Sequence, residues 1–421
     1  MEDFKKKFIN CPMKINTIYH SIEKSNKERK NDLHHTNFSR NDVHHPFIKE
    51  REVVRAMNYA KINRMMAKPF VGYLSFHKEG INMMAKHPTM PVFITASFDN
   101  EIVVSDLDTR TKLISRFFDS QIKGVGISTN NMSYFGFKKT VRSLEDDFAY
   151  DCKANVNNIC VNDELYVATS QNIQIFDFEK PSSKQKLNFK DAQTLSTNPS
   201  FTHLLGFADN TKTYVADLRS NKVICEFEVG TRTDSISFSP AEGFMMCTAN
   251  EDMNGYVHDL RRPDRPVNTL RGSIGALTAV RYNPSGTEIC TGSYDKTIRI
   301  FRNNERKSRD VYYNKRMHNI YGLEYTNDGE YIVSGSDDGT IRIWRSEASR
   351  KTGTLNKQEK KSFAYGQQLI DKYKDIDEVD RINKHRFLPK IVKIKKKEQH
   401  EHYEALKRKE ARRKDFESKL D

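Results

Sequence analysis

From residue 70 to residue 344, apolar and polar positions alternate in short runs broken by Gly, Pro, Asn and Asp. A period of two places successive side chains on opposite faces, so these runs predict half-buried strands joined by tight turns. The clearest case is GSYDKTIRIF at 292–301, which returns 43 positions later as GSDDGTIRIW at 335–344. In both phrases a glycine opens the turn. Asp295 or Asp338 then stands where a carboxylate accepts nearby backbone N–H groups, and a β-branched strand follows. Steps of 43 residues back from Asp295 reach Asp252 and then Asp209, so one unit is being repeated.

The weaker copies follow the same outline. Residues 194–218 and 235–260 run strand, turn, strand and both close on Asp-Leu, as does 81–107 with Asp99 in its turn. Two degenerate copies occupy 125–144 and 158–178. The expected units start near residues 81, 122, 158, 193, 234, 277 and 320. A period of about 40–45 residues with four strands per unit is the pattern of a seven-bladed WD40-type β-propeller, an all-β fold. No blade buries its apolar face alone, so the ring must close, and FVGYLSF at 70–76 is the expected closing strand. The dipeptides that name this repeat are mostly lost. Trp344 is the only tryptophan, and Ser105-Asp106, Phe176-Asp177, Ala216-Asp217 and His258-Asp259 stand at equivalent positions.

The flanks differ in pattern and in charge. The chain reads as an N-terminal extension (1–68), the propeller (69–345) and a C-terminal helical extension (346–421). These hold 15, 33 and 22 Lys/Arg against 8, 34 and 14 Asp/Glu. A near-neutral disc with two basic extensions points to a polyanionic partner. Residues 1–43 are polar and without periodicity, which predicts little structure before binding. A helix is expected over about 47–67, starting at Pro46, with a partial apolar stripe of Val53, Met57 and Ala60 flanked by Val54 and Met65. In the C-terminal extension Pro389 separates a shorter helix from a long one. The long helix carries KIKKK at 393–397, KRKEARRK at 407–414 and only a thin apolar line of Tyr403, Leu406 and Phe416. Residues 381–421 hold 15 Lys/Arg against 7 Asp/Glu. The expected phosphate-binding set is Lys393, Lys395, Lys396, Lys397, Lys407, Arg408, Lys409, Arg412, Arg413 and Lys414. The bland alternative is a nuclear localisation signal or a solvated helix face.

Other chemistry is not indicated. Cys11, Cys152, Cys160, Cys225, Cys247 and Cys290 lack zinc spacing and read as reduced, mostly buried thiols. The pairs His34/His35 and His44/His45 have no HxxxH or cysteine company and read as polar filler, so no metal and no cofactor is expected. There is no run of about 20 apolar residues and no apolar N-terminal core, so the expectation is a soluble intracellular protein without a membrane partner. GVGIS at 124–128 lacks the rest of a phosphate loop, and the turn aspartates belong to different blades, so no catalytic group converges and no enzyme is expected.

Two segments carry a resemblance. The run HPFIKEREVVRAMNYAKINRMMAKPFVGYL resembles the N-terminal signature of the Sof family of WD40-repeat proteins through His45, Pro46, Phe47, Arg55, Lys61, Arg64, Pro69 and Phe70, with Ala85 to Pro88 beyond. Past the propeller, Tyr365, Leu369, Tyr373, Ile382, His385, Arg386, Leu388, Pro389 and Lys390 resemble that family's C-terminal box. The resemblance implies a nucleolar scaffold of the small-subunit processome, acting with other processome proteins, pre-rRNA and the box C/D snoRNP in pre-18S rRNA processing and 40S subunit assembly. The alternative is a substrate receptor of a cullin-RING ubiquitin ligase. For that role Asp217 with Arg219, and Asp259 with Arg261, would form the adaptor contact as tryptophan-less versions of a WDxR box.

Overall fold

The computed structural model describes residues 31, 47–130, 132–144, 149–178, 183–350 and 353–417. His45, Pro46, Cys11, the histidine pairs and most of the polar run 1–43 lie outside the described residues. The chain divides into two compact units, 1–54 and 55–421. In the first, Ile48 to Val54 form the opening turns of helix α1, Ile48–Lys61.

The second unit is built on seven four-stranded antiparallel sheets. The blades span 81–117, 124–151, 156–187, 194–228, 233–270, 277–312 and 320–345, each starting within two residues of its expected position. The fourth strand of the last blade comes from the other side of the ring: Phe70–Leu74 pairs antiparallel with Ile341–Arg345, Phe70 opposite Trp344 and Leu74 opposite Ile341. The first strands of the blades neighbour one another around the centre, and blade 7 meets blade 1, so the ring is closed.

Burial explains why closure is needed. The core forms seven apolar clusters, each at the junction of two adjacent blades. Ile298, Ile300 and Cys290 of blade 6, for example, pack with Tyr325, Ile332 and Trp344 of blade 7. A sheet's apolar face is thus covered only by its neighbour. Among the described residues the cysteines are free thiols, all buried except the half-buried Cys160.

Four of the five repeated aspartates share one physical task, whereas Asp209 accepts the N–H of the next residue, Asn210, at 2.6 Å. The Oδ1 of Asp99, Asp252, Asp295 and Asp338 accepts the backbone N–H two residues on, at 2.9, 3.0, 3.0 and 3.2 Å. That clamp bends the chain so that the residue immediately after the aspartate takes a positive φ: 63° at Asn100, 67° at Met253, 64° at Lys296 and 73° at Gly339. The aspartates stand at turns of different blades, as the 43-residue step requires.

Beyond the propeller come helices α2 (Lys357–Lys372), α3 (Asp377–Asn383) and α4 (Lys390–Glu417). The break at Pro389 separates a short helix from one of 28 residues, as the sequence predicts. No described helix is long and apolar enough to cross a membrane.

Candidate functional site

Within the second unit, the part of the N-terminal signature from Arg55 onward meets the C-terminal extension. Helix α1 continues as a π-helical turn at Ile62–Met66 before the closing strand begins. Its buried residues are Ala56 and Ala60, whereas Val54 and Met65 of the expected stripe are exposed. That part of the expectation is corrected. The stripe itself holds, with Ala60 buried and Val53 and Met57 half-buried, and only its two flanking positions turn outward. The ring of Tyr59 meets Phe363 of α2 edge to face at 6.0 Å. Gly366 makes this approach possible, because a Cβ there would lie 2.5 Å from the Tyr59 ring. Helix α2 is fixed at its start by the Asn356 N–H donating to Glu359 at 3.2 Å, and it buries Leu369 and Ile370.

The π turn also ties down the outer strand of blade 6. Arg64 donates to the carbonyl of Arg309 at 2.9 Å and forms an ion pair with Asp310. Arg309 in turn bridges Asp310 and Glu288 at 3.4 and 3.2 Å and donates to the carbonyl of Ser346 at 2.7 Å. The other signature residues mark the joints of this arrangement. Pro69 accepts the N–H of Arg345 at 2.8 Å, and Phe70 stands 5.4 Å from Trp344. His385 packs edge to face on Phe387 at 4.8 Å, and Pro389 accepts the N–H of Lys393 at 3.1 Å. Leu388 is half-buried, while Arg55, Lys61 and Lys390 face solvent. Phe47 lies just before α1 in the other unit.

Helix α4 presents the basic set. Lys393, Lys395, Lys397, Lys407, Arg408, Lys409, Arg412, Arg413 and Lys414 are exposed, as are Tyr403, Leu406 and Phe416. Buried Val392 anchors its first turn. The helix is braced along its length by Lys397–Glu401, His400–Glu404 and Glu404–Arg408 pairs at 3.7, 3.2 and 3.1 Å. Lys396 departs from the set. It is half-buried, and burial together with the nearby Arg299 pulls its ammonium below the ordinary lysine range.

The Asp-Arg pairs close on themselves. Asp217 accepts the backbone N–H of Arg219 at 2.9 Å and pairs with its guanidinium at 3.3 Å. Asp259 does the same with Arg261 at 3.0 and 2.9 Å, and that guanidinium lies 3.7 Å above the Phe244 ring. Both arginine side chains remain largely exposed.

His77, Asp99 and Glu101 lie close enough together to resemble a ligand trio. Each is already engaged. The His77 Nε2 contacts the Thr95 hydroxyl at 2.7 Å, Glu101 pairs with Lys112 at 2.5 Å, and Asp99 holds its turn. A resident lysine beside one carboxylate suits an internal polar network better than a cation. Sequence spacing did not reveal this trio, because Thr95 and Lys112 join it through strand pairing.

The central channel has a volume of about 770 Å³ and a polar wall. Arg281 pairs with Glu324 at 2.6 Å and donates to the Ser235 hydroxyl at 3.0 Å. Arg232 pairs with Asp234 at 3.0 Å; burial nevertheless raises the Asp234 carboxyl to about 6.

Comparison with known proteins agrees with this architecture. The Sof1-like domain family matches residues 346–420, and the WD domain, G-beta repeat family matches 264–302 and 312–345. "Protein SOF1" of Saccharomyces cerevisiae is 30% identical, over 87% of this chain and 84% of its own length. "DDB1- and CUL4-associated factor 13" is 31% identical in Mus musculus, over 95% of each chain, and 32% in Dictyostelium discoideum, over 90% of each. The solved WD40 β-propeller domain of Doa1 superposes with a TM-score of 0.58 at 15% identity, covering 67% of this chain and 98% of that one, which speaks to the fold. With its propeller, its two converging flanking segments and relatives of this extent, the chain belongs to the Sof1-like family of WD40-repeat proteins.

Proposed function

We propose that this protein is a non-catalytic scaffold of the nucleolar small-subunit processome. In this reading its propeller binds other assembly proteins, and α4 binds pre-rRNA during pre-18S processing and 40S subunit assembly. Membership of the Sof1-like family supports the ribosomal setting. The RNA contact rests on one observation: nine of the ten lysines and arginines of the expected set on α4 are exposed, and the helix's large apolar residues Ile391, Ile394, Tyr403, Leu406 and Phe416 are themselves exposed and form no core with them. Each phosphate they neutralise releases counterions, which gives salt-sensitive binding with little sequence preference. A helix of 28 residues, about 42 Å at 1.5 Å per residue, is long enough to follow a backbone through several phosphates. The box C/D snoRNP is the guide particle in whose company this contact is expected.

Ultraviolet crosslinking in cells followed by sequencing of the attached RNA tests the reading. Precursor 18S or box C/D guide RNA, with crosslinked peptides from 381–417, is the expected recovery. Substitution of the nine exposed cations by Gln should release the protein from large pre-ribosomal particles while its melting temperature stays within a few degrees. Undiminished co-sedimentation would remove RNA binding from α4.

A second reading is favoured by the name of several relatives, "DDB1- and CUL4-associated factor 13". In it the exposed Arg219 and Arg261 face a ubiquitin-ligase adaptor. Capture of DDB1 by the wild-type chain, lost on Arg219→Ala with Arg261→Ala, would establish this association. Equal capture by both proteins would exclude these arginines from it.

A further inference from the structure

Where the C-terminal box joins α4, positive charge accumulates without an anion to meet it. Arg386 lies within electrostatic reach of Arg64 and Arg299, and Lys396 within reach of Arg299 and Arg386. Among the described residues, the carboxylates nearest this group are already engaged. Asp295 pairs with Arg299 at 3.0 Å, Asp310 with Arg64, and Glu305 with Arg302 at 3.3 Å. Among the described residues, neither Arg386 nor Lys396 has a carboxylate within ion-pair distance. The guanidinium of Arg386 makes one hydrogen bond, to the Lys384 carbonyl at 3.2 Å, and its Nε is buried without a partner. The Arg299 side chain is 2% exposed, and its Nε is likewise buried and unpartnered.

Half-burying a cation beside other cations is unfavourable unless something neutralises it. Both Arg386 and Lys396 keep part of their surface open, so a ligand can reach them. Helix α4 begins between them at Lys390 with no acidic residue in its first turn, which leaves the positive end of its dipole free for an anion. We propose that Arg386 and Lys396, backed by Arg299 and Arg64, form a phosphate-binding site that grips one turn of RNA backbone at the root of α4. The ligand is taken as RNA because the exposed cations of α4 continue directly from the site, so a strand held here is led along the helix. This rests on the RNA reading proposed above and adds to it a fixed point of attachment on the propeller side.

The test compares full-length wild type, Arg386→Gln with Lys396→Gln, and the variant carrying Gln at the nine exposed α4 positions. The probe is a fluorescently labelled single-stranded RNA oligonucleotide, titrated over a salt series. Loss of two phosphate contacts should weaken binding roughly ten-fold near physiological salt and reduce the slope of log K against log salt by about 1.4. Melting temperature separates this from a packing role. The double variant should melt at or above the wild-type temperature without RNA, because it removes unneutralised charge, and should lose most of the stabilisation that RNA gives the wild type. If it binds RNA like wild type while the nine-site variant does not, the site is overturned and the α4 reading stands. If wild type fails to bind RNA, both fall. A lower melting temperature with unchanged binding would make the two residues packing groups. Stabilisation of wild type by a phosphoserine peptide and not by RNA would overturn the assignment of the ligand.

Discussion

At the residue scale, the sharpest consequences come from buried groups whose polar atoms are unequally served. Trp344 is 1% exposed, donates from Nε1 to the Ser334 hydroxyl at 2.9 Å, and packs between Phe70 and Tyr312 at 5.4 and 5.9 Å. Its replacement by Ala removes a large side chain at the ring's seam and should destabilise the protein by about 3–5 kcal/mol. Because it is also the only tryptophan, a Tyr312→Phe protein unfolded in urea under fluorescence detection reports directly on that seam. His258 is the opposite case: both ring nitrogens are buried without partners, the ring lies 4.5 Å from Phe227, and burial lowers its pKa to about 4. In the unfolded chain the imidazole protonates near 6.5. The unfolded state therefore binds the extra proton first, and this residue's contribution to stability declines as pH falls from about 6.5 to about 4. His258→Phe should raise the melting temperature and flatten its fall across that range, as measured by calorimetry from pH 7.5 to 4.5. An unchanged pH profile would place the acid sensitivity elsewhere.

At the scale of elements, the propeller was legible in the sequence and the packing of its flanks was not. Four of the five turn aspartates are fixed by a local clamp that spans two residues, so the 43-residue step stood out even where Trp and His had been replaced. The closing strand was recognisable because a ring has to end somewhere. The approach of α1 to α2 turns on Tyr59 meeting Phe363 over Gly366, a residue with no side chain to register in an apolar pattern, across about 300 residues of intervening chain. Likewise, Lys396 looked like any other lysine of its basic block until α4 was placed beside Arg299. A shorter helix was expected before Pro389, but nothing local said that the π turn at 62–66 would be the neighbour of Asp377–Asn383. Gly366→Ala tests that joint. The added methyl should push Tyr59 away and expose 55–68 and 353–389 to limited proteolysis, while the melting transition of the propeller moves by only a few degrees. Resistance equal to wild type would show that Tyr59 can shift without releasing α1.

At the scale of the molecule, stability belongs to the ring and not to any blade, since each apolar cluster is shared by two blades. A chain ending at residue 312 would leave both Tyr312 and the face of blade 1 uncovered. It should sediment as aggregate or remain unfolded by circular dichroism. A cooperative transition from such a fragment would show that the blades are more independent than their shared core implies.

The pairing of Phe70–Leu74 with Ile341–Arg345 has a meaning in time as well as in space. Roughly 270 residues of chain separate the two strands, and synthesis at about 5–20 residues per second takes tens of seconds to cover that distance. Throughout that interval the emerging chain presents an unmated strand edge and a half-built core to its surroundings. The cell must shield the nascent protein until its last blade leaves the ribosome, so the demand for chaperones is written into the order in which the two edges are made.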